Sequence, residues 1–289
     1  MTNTAPTNPS SDVRPLPPAS AQAESAPGER RESTVIHWLY GGSTIAMLAA
    51  AWYFAAEHEL INRTLMPSPV AVWYAFLDLL GNGELIENIN ASMYRIIVGF
   101  ILGFVTAVPI GLLIATIRLV RSFLEPILEF IRPIPALAFL PLAILWFGVG
   151  ESSKLFIMWF GTFFVIIVSV IEGVYDFDVV YLRVAKNLNA SRRQIFFHVL
   201  LPGILPFILE GNRQAIATAF RIVVSAEMIA AQAGLGFLIM NSAIFYRTDR
   251  VIVGIIVLGV LGMLFDRLLI YITRNYFLKY KGKTDELAV

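Results

Sequence analysis

Five charged residues interrupt apolar stretches of this sequence, and each could do chemistry inside a membrane. They are Arg132, Arg213, Arg221, Glu227 and Asp266. Because a charge in hydrocarbon is costly, such residues usually mark a solute pathway or pair with one another. We select Arg132, Arg221 and Glu227 as candidate pathway residues, since an arginine fork suits an anion. The alternatives are a snorkelling Arg132 at a membrane edge and, for Arg221 and Glu227, pairing between helices or a place in a dimer interface.

Spacing limits how these charges can pair. Arg221 and Glu227 are six residues apart and lie on different faces of a helix, so a direct pair between them is not expected. Asp266 is interpreted as a structural charge near the cytoplasmic half of the last span.

Other kinds of chemistry have no support in the residue pattern. The histidines His37, His58 and His198 are scattered, without the spacing of a metal site. The sequence has no cysteine, which excludes thiolate metal sites and a cysteine nucleophile. No Gly-rich loop with Lys-Ser/Thr is present, so the sequence offers no such site for ATP. A net charge of +1 gives no support for a nucleic-acid partner.

Composition indicates a polytopic membrane protein. Hydrophobic residues make up 57% of the chain and charged residues 15%, whereas a soluble domain has about half and about a quarter. Runs with few or no charges, each near the length that a helix needs to cross a bilayer, predict six spans. In chain order they are Trp38–Ala56, Ile96–Ile117, Pro133–Gly150, Leu155–Ile171, Ile204–Ala231 and Val251–Thr273.

Charge bias decides between six and seven spans. Met228–Tyr246 could be a separate span, but basic residues concentrate at cytoplasmic ends. Six spans place both basic tails, the turn at Arg118 and Arg121, and the basic segment 184–206 on one side. We therefore predict six spans with both termini cytoplasmic. Residues 233–241 then dip near the outer face, with Gly234 and Gly236 marking a non-helical turn.

These features divide the chain into five regions. Residues 1–34, rich in Pro, Ser and Ala, are predicted to be a disordered cytoplasmic tail. An interfacial helix should begin at Ser68-Pro69 and end at Gly81. The remaining boundaries are 35–58 for the first transmembrane helix, 59–90 for the outer loop with that interfacial helix, 91–276 for the transmembrane core with a cytoplasmic loop at 175–203, and 277–289 for a cytoplasmic tail.

The cytoplasmic loop is predicted to be an elbow of two short amphipathic helices. Asp178 can cap a helix to about Leu188, and Asn189 tolerates the left-handed conformation that closes it. Ser191 and Gln194 have the spacing of a capping box. The second helix should stop near Pro202. The elbow is either an interfacial loop held by lipid electrostatics or a docking module for a cytoplasmic partner.

The segment "VAKNLNASRRQIFFHVLLPGILP" resembles the EAA loop of ABC importer permeases, whose pattern is roughly E-A-A-x-x-x-G-x(9)-I-x-L-P. Ala185 matches the second alanine, and 199–202 match the closing I-x-L-P. Arg183 stands where the family has Glu, and Asn189 where it has Gly. "MPSPVAVW", "YRIIVGFILGFVTAVPIGLLIA", "IRPIPALAFLPLAILWFGVGESSK" and "SAEMIAAQAGLGFLI" extend the resemblance over about 65–278. They resemble the nitrate/sulfonate/taurine/bicarbonate subgroup.

The resemblance implies a function for the elbow and a set of partners. It implies that the elbow couples the permease to a separate ABC ATPase subunit, which binds ATP and Mg²⁺, so that this chain needs no cofactor. It also implies an extracytoplasmic solute-binding protein and a second copy of the permease as partners. The coupling residues would be Arg183, Val184, Ala185, Leu188, Asn189, Ala190, Ser191, Phe196, Val199, Leu201 and Pro202.

The charge pattern predicts six spans, and the resemblance implies an all-α, six-span permease with the ABC importer type I fold, in the bacterial cytoplasmic (inner) membrane. It would not be an enzyme, and it would import a small anionic solute such as nitrate, a sulfonate, taurine or bicarbonate. A polytopic membrane enzyme would need a cluster of catalytic acids or histidines, and none is found. A gradient-driven transporter would be favoured by inverted repeats, and none is visible.

Overall fold

The computed structural model describes residues 29–58, Asn62 and 64–281, and within them all regular structure is helical. The predicted first span falls within the first helix, while residues 1–28 of the predicted tail and 282–289 lie outside the described residues. The helices are α1 (Glu29–Glu57), α2 (Pro69–Gly81), α3 (Glu84–Thr116), α4 (Arg118–Ile131), a 3-10 turn (Ala136–Phe139), α5 (Leu140–Phe147), α6 (Glu151–Tyr175), α7 (Val179–Asn187), α8 (Arg192–Ala230), α9 (Leu235–Ile244) and α10 (Thr248–Lys281).

The short helix α2 has the ends that the sequence predicts. The Ser68 hydroxyl accepts a hydrogen bond from the Ala71 N–H at 3.3 Å, and Pro69 occupies the first turn. The helix ends at Gly81, and the Asn82 N–H then donates to the Asp78 carbonyl. Both ends are fixed by local backbone chemistry, which explains why the sequence alone predicts them.

Four helices, α3, α6, α8 and the first part of α10, are long and apolar enough to cross a membrane. Helix α4 and the segment 136–147 together pass the same test, but they are bent by 92° at the break between them. With this pair counted as one span, the described residues hold five. A sixth, in α1, stays a prediction.

The bent pair replaces the predicted span Pro133–Gly150. Helices α3 and α6 run in the same direction, because Gly99 faces Met158 and Gly103 faces Thr162. The chain between them must therefore return across the bundle. It does so as a helix from Arg118, where the sequence predicts only a turn, followed by a break at the prolines of 132–135, which cannot continue a helix.

Glycines bring the central helices into close contact. A Cβ atom on Gly99 would lie 2.3 Å from the Met158 Cβ, so only glycine lets the α3 and α6 backbones approach this closely. Gly99 and Gly103 are four residues apart, the spacing that is typical of closely packed helices in membranes. Farther along α6, Gly173 faces Phe207 of α8, and Gly211 of α8 faces Ser169. The three helices α3, α6 and α8 thus form one tightly packed block.

Helix α8 differs from the sequence prediction at its start. The prediction of a stop near Pro202 is wrong, since the helix continues from Arg192 to Ala230. A π-helical turn at Ile195–Leu200 precedes Pro202, which lies in the first turn of the following α-helical segment. Proline has no backbone N–H, and this costs least in the first turn of a helix, where the N–H has no partner within the helix. The preceding π turn already departs from the α-helical hydrogen-bond pattern, so the proline can be accommodated there. The elbow is consequently continuous with a membrane-spanning helix.

The turn between α8 and α9 agrees with the prediction in part. Gly234 has φ of 132°, a conformation that favours glycine, as expected for a non-helical turn. Gly236, by contrast, lies inside α9. Its N–H donates to the Glu227 carboxylate at 2.9 Å, so the glycine serves a close approach within the helix.

Candidate functional site

The elbow, residues 178–202, is closed by local hydrogen bonds. Its first helix, α7, begins where the Asp178 carboxylate accepts from the Val180 N–H at 2.8 Å. It ends in a Schellman motif, in which Ala190 N–H donates to the Ala185 carbonyl and Asn189 N–H donates to the Lys186 carbonyl. Asn189 has φ of 58°, the left-handed conformation that the sequence predicts for it.

The second half of the elbow begins with the predicted capping box. The Ser191 hydroxyl accepts from the Gln194 N–H at 3.3 Å, and the Gln194 side chain accepts from the Ser191 N–H at 2.8 Å. These two hydrogen bonds satisfy two backbone N–H groups at the start of α8 that have no partner within the helix. The chain can therefore turn sharply and begin α8 without a flexible linker. Helix α7 packs back against the π-helical turn at Ile195–Leu200.

The predicted coupling residues divide into a surface group and a packed group. Ala185 is only 8% exposed, so it belongs to the interior of the elbow and not to a docking face. The exposed members are Arg183, Val184, Leu188, Asn189 and Ser191, and the buried or half-buried members are Ala185, Ala190, Phe196, Val199, Leu201 and Pro202.

A second polar site lies at the opposite end of α8, and its centre is buried, although the Glu151 side chain at its edge is 49% exposed. The Arg95 guanidinium of α3 makes two hydrogen bonds of 2.7 Å to the Glu151 carboxylate of α6. Its third nitrogen lies 2.5 Å from the Glu227 carboxylate of α8. The Arg95 and Glu227 side chains are 4% and 0% exposed. Lys154 adds a 2.9 Å ion pair to Glu151, so two cations and two anions balance. We call these four residues the buried charge cluster.

The buried charge cluster holds the turn before α9. The Gly234 N–H donates to the Asn88 side chain at 2.7 Å, and the Leu235 N–H donates to the Ser92 hydroxyl at 2.8 Å. The Ser92 hydroxyl in turn donates to Glu227, and Arg95 donates to the Ala233 carbonyl. These polar groups of the turn therefore have partners, which is the condition for burying such groups at low cost.

The three candidate pathway residues do not come together. Glu227 belongs to the buried charge cluster and pairs with Arg95 of α3. The geometry therefore fits the alternative in which Glu227 forms an ion pair between helices. Arg132 is exposed and lies 3.4 Å from Glu172. Arg221 is exposed on α8 and donates to the Thr218 hydroxyl of its own helix at 2.9 Å.

Arg221 lines an open cavity of about 630 Å³ between α8 and α10. The cavity is mostly apolar, and its other charged lining residues, Arg213 and Asp266, pair at 2.6 Å. The pair with Arg213 fits the interpretation of Asp266 as a structural charge. Arg221 is left as the lining cation without a carboxylate partner in the described part of the chain.

Sequence reasoning missed Arg95, Ser92 and Asn88 as members of a site. Arg95, Glu151 and Lys154 directly border the predicted apolar runs, so nothing in their local sequence marks them as a site. Their charges were visible, but their partners lie 56 and 132 residues away along the chain. In the ranges that the structure describes, no group of three His, Cys, Asp or Glu residues could hold a metal ion.

Comparison with known proteins places this arrangement in a family. Residues 107–277 match the family model described as binding-protein-dependent transport system inner membrane component. The chain is 35% identical to the taurine transport system permease protein TauC of Escherichia coli, over 77% of this chain and 83% of that protein. It is 33% identical to a putative aliphatic sulfonates transport permease protein of Bacillus subtilis, over 93% of this chain and 96% of that protein.

A solved structure supports the fold. An inward-facing form of the MetNI methionine ABC transporter superposes with a TM-score of 0.58, at 19% identity, over 66% of this chain and 95% of that chain. The type I permease fold predicted from the sequence is thereby confirmed. The chain belongs to the family of binding-protein-dependent transport system inner membrane components, and it is a permease subunit of an ABC importer.

Proposed function

We propose that this permease imports a small anion of the sulfonate kind, received from an extracytoplasmic binding protein. The named relatives are taurine and aliphatic sulfonate permeases. A sulfonate leaving water needs compensating donors, and a guanidinium supplies a fixed fork of N–H groups. Arg221 meets this need, because its side chain is exposed at an open cavity and has no carboxylate partner among the described residues.

The elbow contacts a separate ATPase subunit, which binds ATP and Mg²⁺. The observation that carries this proposal is the exposed apolar stripe on α7, where Val180, Val184 and Leu188 are 55%, 51% and 76% exposed. These side chains sit on an elbow that capping and packing hold in one shape. Since the elbow continues into α8 without a break, a push on the stripe reaches the spans directly.

In this proposal the elbow side of the bundle is cytoplasmic. Helix α10 ends on that side, because it runs antiparallel to α8: Arg213 pairs with Asp266, and Phe220, farther along α8, faces the earlier Gly262 of α10. With α1 as a sixth span, both termini are cytoplasmic, in the inner membrane of a bacterium. A second copy of the chain completes the pathway as a homodimer. A reporter fused after Val289 is expected to be active only in the cytoplasm.

The elbow proposal is tested by a charge on the apolar stripe. Leu188→Asp should abolish association of the ATPase subunit and uptake, because an unpaired carboxylate at such an interface costs several kcal/mol. The spans should assemble normally. Co-purification in mild detergent and uptake by cells measure the two effects.

A matched control is Leu65→Asp, which places the same charge on a 70% exposed leucine before α2. It should leave association unchanged. Ala185→Glu is not a clean test, because it would disrupt the elbow from within. Equal association of Leu188→Asp and the wild type would contradict docking through this stripe. Uptake driven by an ion gradient without ATP hydrolysis would instead favour a secondary transporter.

A further inference from the structure

The apolar stripe of α7 is bordered by positive charge. Arg183, Lys186, Arg192 and Arg193 are all exposed on the elbow. Within the described ranges none of the four pairs with a carboxylate; the Arg193 guanidinium instead lies 6.0 Å from the Phe197 ring. The nearest acid, Asp178, caps α7. We call this combination of the stripe and the four cations the elbow surface.

The tip of the elbow surface stands clear of the membrane, whereas its base lies closer to it, since Phe177, just before α7, faces Gly203. The apolar run of α6 ends at Glu172, and the adjoining Gly173 faces Phe207 of α8, so the hydrocarbon edge lies near Phe207. At about 1.5 Å per residue, the helix from Arg193 to Phe207 measures about 21 Å. Even at a tilt of about 40° it rises by about 16 Å. The headgroup layer is only about 5–8 Å thick, so the tip projects into water.

Two interpretations of the elbow were open, lipid electrostatics and a protein partner, and this height favours the protein. An anionic lipid could attract the cations only over a distance at which salt screens them strongly, since the Debye length is about 8 Å. Exposed leucine and valine side chains in water, moreover, gain nothing from a distant headgroup layer. They gain from a complementary apolar groove.

We infer that the partner of the elbow surface is a protein groove with an apolar floor and a rim of carboxylates. The floor receives Val184 and Leu188, and the rim faces Arg183 and Lys186 on one side and Arg192 and Arg193 on the other. Under the proposed function this partner is the ATPase subunit. Arg183 stands where the EAA pattern has Glu. A Glu at this position would select a basic residue in the groove, whereas Arg183 selects an acidic one.

The test is the affinity of the purified ATPase subunit for the full-length permease in nanodiscs. Arg183→Glu should weaken binding by about tenfold or more, because a like-charge contact replaces an attractive one. Arg183→Gln should have an intermediate effect. Higher salt should weaken wild-type binding more than binding of Arg183→Glu. The control Arg118→Glu makes the same charge change on an exposed residue at the same end of the bundle, off the elbow, and should change affinity by less than about twofold.

The outcomes separate the inference from the proposed function. If no ATP-hydrolysing subunit binds the wild-type permease, the proposed function fails. If the subunit binds the wild type and Arg183→Glu binds equally well or better, the acidic rim is wrong while the coupling role stands. If the effect of Arg183→Glu disappears in nanodiscs of neutral lipid, the elbow surface binds lipid, and the inference is overturned.

Discussion

The two ends of α8 carry charge in opposite ways. At its C-terminal end, Glu227 is buried and the buried charge cluster is balanced, with a partner for every charge. At its N-terminal end, the elbow exposes four cations and the apolar stripe. One helix therefore joins a site whose charges are paired within this chain to a site whose cations have no carboxylate partner among the described residues.

This contrast separates structural charge from functional charge. A buried ion pair with its hydrogen bonds satisfied has no capacity left for a ligand, although its loss is expensive. An exposed set of like charges contributes little to stability and keeps its full capacity for a partner. Stability measurements should therefore respond strongly at the Glu227 end, and binding measurements at the elbow end.

The largest effect is expected from Arg95→Met. The change leaves Glu227 buried without its cation, which costs about 3–5 kcal/mol when one partner of a buried pair is removed. The free energy of unfolding of the purified permease in detergent measures this cost. Arg132→Met is the control, because its pair with Glu172 is exposed and spans 3.4 Å; it should cost less than about 1 kcal/mol. Equal losses in both variants would contradict the comparison.

A smaller loss is expected from Gly234→Ala. The left-handed φ of 132° strains any residue with a Cβ, and that Cβ would lie 2.3 Å from the Glu227 carboxyl carbon. Strain of this kind costs about 1–3 kcal/mol. The matched change Gly150→Ala adds a methyl group where no atom lies within 4 Å, in extended backbone. Thermal unfolding of the two variants should separate them, and a stable Gly234→Ala protein would show that the turn is not held by the cluster.

At the elbow, Asn189→Val is expected to cause a smaller, local loss of stability. A β-branched residue in the left-handed conformation costs about 1–2 kcal/mol, which should loosen the Schellman motif. Hydrogen exchange of the Asn189 and Ala190 amides should accelerate, while that of α6 amides stays unchanged. Asn187→Val, in the last turn of α7, serves as the control, and Asn189→Gly should behave as the wild type. Protection that is unchanged in Asn189→Val would mean that packing, and not the motif, closes the elbow.

The smallest change in stability is expected from Arg221→Gln, a residue that lies between the two ends of α8. The guanidinium is exposed and bonds only to Thr218 among the residues described, so its loss should cost less than about 0.5 kcal/mol. Uptake of the anion should nevertheless fall strongly, with assembly and binding-protein affinity unchanged. Transport at the wild-type rate by an assembled variant would make Arg221 a structural charge.

The same contrast explains what the sequence could predict. The elbow caps, the left-handed Asn189 and the ends of α2 depend on residues within a few positions of each other, so spacing sufficed. The buried charge cluster joins Arg95 to Glu227 across 132 positions, and a single sequence carries no sign of that contact. The continuation of α8 through Pro202 and the helix at Arg118–Ile131 were missed because local proline and charge signals were outweighed by packing against α6.

The length of α8 has a mechanical consequence. Its 39 residues form a rod of about 58 Å. A rotation of about 5° around one end of such a rod moves the other end by about 5 Å, roughly one helical turn. Glycine contacts fasten this rod along α6, and α6 along α3, so the three helices are expected to turn together. Under the proposed function, a push at Leu188 that turns this block would also displace Gly234 at its other end.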